Sequence, residues 1–111
     1  MGKDYYSKKH DKDKVRLDLI TPDFIIEVGK VLTFGANKYA PESWKQVPNL
    51  QDRYYAAVLR HLLAYRNGIK VDSETGLSHL AHAACNIMFL MYAEDHDESG
   101  TDTCSENMGD A

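Results

Sequence analysis

"LSHLAHAACN", residues 77–86, decides how the rest of the chain is read. Followed by "IMFLMY", it has the spacing of a helix starting near Ser78 and running to about Tyr92, with Leu80, Ala84, Ile87, Met88 and Met91 on one apolar face. His79, His82 and Asn86 fall at i, i+3 and i+7, so three hydrogen-bonding or ligating side chains also share a face. A helix with ample alanine and leucine has no packing need for such a row. The alternative is two half-buried packing histidines and an asparagine bonded to a neighbouring helix.

Working outward, two further helices precede this one. "TPDFIIEVGKVLTFG" has Thr21 as a cap, Pro22 at the first helical position and Asp23 in the first turn, and Gly35 is the expected stop. Phe24, Ile25, Val28, Val31 and Leu32 are its expected buried stripe, and Gly29 is suited to close approach of a partner. The second helix spans about Leu50 to Asn67 and closes at Gly68, with Tyr54, Tyr55, Val58, Leu59, Leu62 and Leu63 as its apolar side. "GIKV" is the only strand candidate and is too short for a sheet. The expected fold class is therefore all-α: a small bundle of three main helices with long functional loops.

The bulk numbers bound what this fold can do. With 111 residues and a formal net charge of −4, the chain is one domain lacking the basic field that draws duplex DNA or anionic membranes. No apolar run reaches the roughly 18 residues of a membrane span, and "MGKDYYSKKHDKDK" lacks the apolar centre of a secretory signal. A cytoplasmic protein is expected, and its short core suggests a homo-oligomer. Residues 1–14 read as a mobile arm, 15–93 as the helical domain, and the acidic stretch 94–111 as a disordered tail. Cys85 and Cys104 form neither a disulfide framework nor a CxxC pair and are expected as free thiols, with Cys85 inert in an apolar helix.

The candidate chemistry gathers around the two long connections. Neutral imidazoles suit Mn, Fe, Co, Ni or Zn, and Asp72 and Glu74 in "VDSETG" can add carboxylates to His79 and His82 if the loop folds back over the helix start. That helix start also offers unpaired N–H groups suited to phosphate. On the second helix Arg53, Arg60, His61 and Asn67 recur on one side, where Ala56, Ala57 and Ala64 leave room for a ligand. Arg60 is the chosen phosphate contact, and His61 a further ligand or proton donor. By itself such a row is also a solvated face. In "GANKYAPESW", Lys38 offers a point charge to phosphate and Tyr39 or Trp44 a flat face to a nucleobase, although both rings can simply cap the core. No P-loop, G-x-G-x-x-G or G-x-S-x-G motif is present.

The order of these features resembles the phage and bacterial family of the dATP/dGTP diphosphohydrolase N-terminal domain, loosely linked to MazG-type all-α nucleotide pyrophosphohydrolases. The resemblance runs from about Val15 to Tyr92. It rests on G-A-x-K-Y at Gly35 to Tyr39 with Trp44 following, R-H-L at Arg60 to Leu62, and D-x-E-x-G-x-x-H-L-x-H-A at Asp72 to Ala83. It implies hydrolysis of a purine deoxynucleoside triphosphate to monophosphate plus pyrophosphate, with a divalent metal, in a phage that edits its host's nucleotide pool. Carried over, Glu74, His79 and Arg60 are the expected catalytic residues. Lys38, Tyr39, Trp44, Arg60, His61 and Asn86 are the expected substrate contacts, and Asp72, Glu74, His79 and His82 the metal ligands. Arg60 and Lys38 would balance charge on the leaving pyrophosphate.

MazG-type enzymes hold magnesium with E-x-x-E and E-x-x-D helices, whereas this chain has H-x-x-H in the comparable place. Imidazole is a poor magnesium ligand, so either the ion is softer, such as manganese, cobalt or zinc, or the acids come from the "DSE" loop, or catalysis has been lost. The rival expectation is a non-catalytic nucleotide-binding protein that sequesters a host nucleotide signal.

Overall fold

A computed structural model describes residues 13–96. Most of the expected arm (1–14) and tail (94–111) lies outside those residues. Three helices dominate: α1 (Pro22–Lys38), α2 (Leu50–Arg66) and α3 (His79–His96). Short 3-10 turns at Leu17–Leu19 and Ser43–Gln46 precede α1 and α2, and no strand forms among the described residues. The all-α bundle is as expected. Helix α3 is its centre, packed on α2 along most of its length and on α1 along a shorter strip. Contacts of Tyr54 with Phe89 and of His61 with His79 and His82 show that α2 and α3 run antiparallel.

Local chemistry explains most of the boundaries. Thr21 occupies the cap position with Pro22 behind it, and the Thr21 carbonyl accepts the Phe24 N–H at 3.1 Å. Ser78 caps α3 through its Oγ, which accepts the Ala81 N–H at 3.2 Å. At the end of α2, Gly68 lies in the left-handed region (φ 91°), its N–H bonds to Tyr65 O, and the Ile69 N–H reaches back to Ala64 O. This pair of reversed bonds satisfies carbonyls the helix leaves open and turns the chain.

The expected stop at Gly35 is corrected. Helix α1 continues through it to Lys38, with the Tyr39 N–H bonded to Gly35 O at 2.9 Å. Nothing in "ANK" breaks a helix, so a glycine without a left-handed backbone is simply absorbed. Nor does Gly29 meet a close partner, since a Cβ there would have nothing within 4 Å.

The expected apolar stripes are only partly covered. Phe24 and Ile25 are exposed, because α1 meets α3 through Val28, Val31 and Leu32 further along. On α2, Ala57 and Val58 are buried while Tyr55, Leu59, Leu62 and Leu63 face outward. The buried side of α3 carries His79, Ala81, Ala83, Cys85, Asn86 and Ala93, leaving Leu80, Ile87, Met88 and Met91 exposed. Small side chains let α3 sit close to its neighbours, so the core is narrow. Cys85 is its most buried member; its S–H points at Val28 O, 3.5 Å away.

Both long connections are anchored on this frame. Between α1 and α2, Trp44 stacks on Phe89 (4.3 Å between centroids) and meets Tyr92 edge-on, while Tyr54 Oη donates to Trp44 O at 3.0 Å. Between α2 and α3, an antiparallel bridge joins Val71 to Ser78, so the strand candidate amounts to one rung. The His79 N–H donates to Lys70 O and the Asp72 N–H to Leu77 O, both at 2.8 Å, which folds the connection into a hairpin over the head of α3.

Candidate functional site

The last turn of α1, the turn around Trp44, the hairpin and one side of α3 enclose a cavity of about 620 Å³. That volume lies within the usual range for small-molecule sites. Lys38 and Tyr39 reach it because α1 runs past Gly35. Trp44 and Arg53 line the opposite side, and Glu74, Thr75, His82 and Asn86 line the floor. The apolar end is formed by Val31, Leu32 and Phe89.

Charge is balanced within the cavity. Lys38 Nζ donates to Glu74 Oε2 and lies 5.2 Å from the centre of the Tyr39 ring. The Glu74 carboxylate, with a further contribution from Tyr39, raises the Lys38 ammonium above its ordinary pKa and keeps it charged. Glu42, also on the wall, pairs with Lys45. Tyr39 is largely exposed and Trp44 is clamped between rings of α3, so Tyr39 is the more open of these two aromatic faces on the cavity wall. Asn86 gives an Nδ2 hydrogen to His82 O at 2.7 Å; its carbonyl oxygen has no partner among the described residues and is not sealed from solvent.

Behind the floor lies a second polar cluster. His61 Nδ1 and His79 Nδ1 are 2.8 Å apart, and the His61 ring stacks on His82 at 4.6 Å with a 10° tilt. Asp72 Oδ1 accepts the Glu74 and Thr75 N–H groups at 2.8 and 3.0 Å, which shapes the hairpin tip. Thr75 Oγ1 accepts the Leu77 N–H and lies 2.8 Å from His82 Nε2. Burial, aided by His82 and His79, pushes the His61 imidazole down to about 4, and burial also lowers His82 despite the Asp72 carboxylate. Burial acts to raise the Asp72 carboxyl, but the two backbone N–H bonds and the adjoining imidazoles outweigh it and hold the group below its ordinary value. Ligand atoms of His61, Asp72 and His79 all lie within 4.8 Å of one another, close enough to share a cation.

The structure thus separates the expected residues into two groups. Lys38, Tyr39, Trp44, Glu74, His82 and Asn86 line the cavity. His61, Asp72 and His79 converge behind it, with Glu74 turned to Lys38 and His82 turned to Thr75. Arg60 is exposed and is not on the cavity wall, whereas Arg53 is. The two arginines share a helix face but stand two turns apart, about 10.5 Å along the axis, so facial spacing alone could not choose between them. Thr75 was missed by the sequence reading. Its only signal is its place three residues after Asp72, where a turn capped by that carboxylate brings its hydroxyl inward.

A family model of the dATP/dGTP diphosphohydrolase N-terminal domain matches residues 5–103. The chain belongs to that family. A curated relative, the dATP/dGTP diphosphohydrolase of Salmonella phage PMBT28, is 40% identical over 84 residues, which covers 76% of this chain and 28% of the relative. The chain therefore spans under a third of the length of that relative. No solved structure matches. Among the described residues no helix is long and apolar enough to cross a membrane.

Proposed function

We propose that the domain hydrolyses a purine deoxynucleoside triphosphate to the monophosphate and pyrophosphate, in control of a phage nucleotide pool in the host cytoplasm. The observation that carries this reading is the joint placement of Lys38, Arg53 and the open Tyr39 ring on one cavity of nucleotide size, in a chain of this family. Arg53 offers a planar fork to phosphate oxygens and Lys38 a point charge, while Tyr39 offers a stacking face to the base. Arg60, off the wall, is left without a direct phosphate contact. Triphosphate binding would draw Lys38 from Glu74 and free that carboxylate beside the phosphates.

The divalent ion implied by the family is judged on the donors at the cavity. Magnesium and manganese keep several waters and are commonly held by one or two carboxylates together with substrate phosphates. Glu74 and Glu42 on the wall fit that pattern, and a bound ion there would neutralise phosphate charge and acidify a coordinated water. Around it this chain's groups bind and orient: Lys38 and Arg53 hold the chain of phosphates, and His82, fixed by Thr75, bounds the floor. The exposed apolar side chains of α2 and α3 support a homo-oligomer.

The test incubates the full chain with each dNTP and Mg or Mn, separating nucleotides chromatographically and assaying pyrophosphate. Appearance of dNMP with equimolar pyrophosphate from dATP or dGTP is expected, with loss of at least tenfold in rate in Lys38→Ala. Tight nucleotide binding by calorimetry without any product overturns the hydrolase and leaves the sequestering protein.

A further inference from the structure

We propose that His61, Asp72 and His79 form a binding site for a borderline-soft divalent transition ion, of the zinc or cobalt class, which fastens the hairpin to the helix pair. This goes beyond the hydrolytic reading and does not depend on it. The three residues come from three separate segments: α2, the hairpin and the first turn of α3. Their ligand atoms lie within 4.8 Å of one another, and His79 is buried. None of them lines the nucleotide-sized cavity.

The details of the cluster favour a cation between these groups. Two Nδ1 atoms 2.8 Å apart on facing rings either share one proton or direct both lone pairs at a positive centre. Asp72 spends Oδ1 on the Glu74 and Thr75 N–H groups, which fixes the carboxylate plane, while its other oxygen makes no hydrogen bond among the described residues. An oriented carboxylate beside two imidazoles is a donor set for zinc, cobalt or manganese, whereas magnesium demands oxygens. Three protein donors leave a position for water.

The consequence is mechanical. One bridge rung, a few backbone bonds and the Thr75–His82 side-chain contact tie the hairpin to the helix head. An ion shared by His61, Asp72 and His79 would lock that hairpin, and with it Thr75 and Glu74, which adjoin Asp72 in the turn and stand on the cavity floor.

The experiment uses the full chain, stripped with chelator, then given Zn(II) or Co(II) without nucleotide. One ion per chain by elemental analysis is expected, with a rise in melting temperature of about 10 °C when the free ion is a hundredfold above its dissociation constant. Cobalt should give the visible absorption of a low-coordinate nitrogen and oxygen site. Asp72→Asn keeps the Oδ1 acceptor that shapes the turn, so it should fold with native circular dichroism yet bind the ion at least tenfold more weakly. His61→Ala should do the same, and Glu74→Gln should retain the ion. Failure of the unmodified chain to take up either ion, or wild-type affinity in Asp72→Asn and His61→Ala, overturns the site. Because no nucleotide is present, loss of the hydrolase reading would leave this result untouched, and hydrolysis with magnesium in a chain that takes up neither ion would sink the site alone.

Discussion

At the residue scale the arginine pair is the sharpest contrast. Arg53 lines the cavity and Arg60 does not, though both occupy one helix face. Removing a charge-assisted phosphate contact typically costs about 1.5–3 kcal/mol, so Arg53→Ala should raise KM for a purine dNTP by roughly tenfold or more. Arg60→Ala should leave KM within about twofold; steady-state kinetics on both variants checks this, and the reverse order would relocate the phosphates. Cys85 gives a pH-dependent counterpart. Burial raises its thiol to about 11, and a raised thiol pKa means less thiolate at any lower pH. At pH 8 only about one molecule in a thousand carries the nucleophile, so iodoacetamide should leave Cys85 unmodified in the native chain and label it after denaturation, as peptide mass mapping would show. The free, inert thiol was legible because a cysteine within an apolar helical pattern has few other roles. The convergence of His61 on His79 was not, since the two are 18 positions apart and meet only through antiparallel packing that no local pattern encodes.

At the element scale, chain reversals written in backbone chemistry were legible and those set by packing were not. Gly68 ends α2 where expected because its left-handed conformation is intrinsic to a glycine stop. Gly35 carries the same residue type but lies inside α1, where nothing obliges the backbone to leave the helix. The contrast yields a test. Gly68→Ala places a Cβ at φ 91° and should destabilise the fold by about 1–2 kcal/mol, whereas Gly35→Ala replaces a helical glycine with open space around its Cβ and should stabilise it by about 0.5–1 kcal/mol. Ser78→Ala, which removes the Oγ acceptor of the Ala81 N–H, should cost about 1 kcal/mol. Urea unfolding of the three variants reads all the signs; a neutral Gly68→Ala would show that the hairpin does not need this turn. That hairpin carries both Glu74 and Asp72, so its closure sets the cavity floor as well as the cluster behind it.

At the scale of the whole molecule, the helical periodicities correctly named amphipathic faces but assigned them to an interior that three helices cannot provide. Among the described residues the buried apolar side chains are alanines, Val58 and Cys85, while Leu63 stays 63% exposed and Met91 61%. Leu80, Ile87, Met88 and Met91 recur at helical spacing, so their exposure follows one side of α3, with the half-buried Ala84 among them, opposite the row of His79, Asn86 and Ala93. An apolar stripe of this kind on a short chain is a mark of association, because burying each large side chain contributes about 1.5–3 kcal/mol. The expected outcome is a dimer or larger assembly of the full chain in light scattering at micromolar concentration. Ile87→Lys combined with Met91→Lys places two charges in the middle of the stripe, away from the cavity wall, and should shift the population to monomer while native helicity persists by circular dichroism. A second charge pair, Phe24→Lys with Ile25→Lys on the exposed start of α1, separates the alternatives: if it dissociates the assembly and the α3 pair does not, the copies meet through α1. An unmodified chain that stays monomeric at a hundred micromolar would remove the support that these side chains give to self-association.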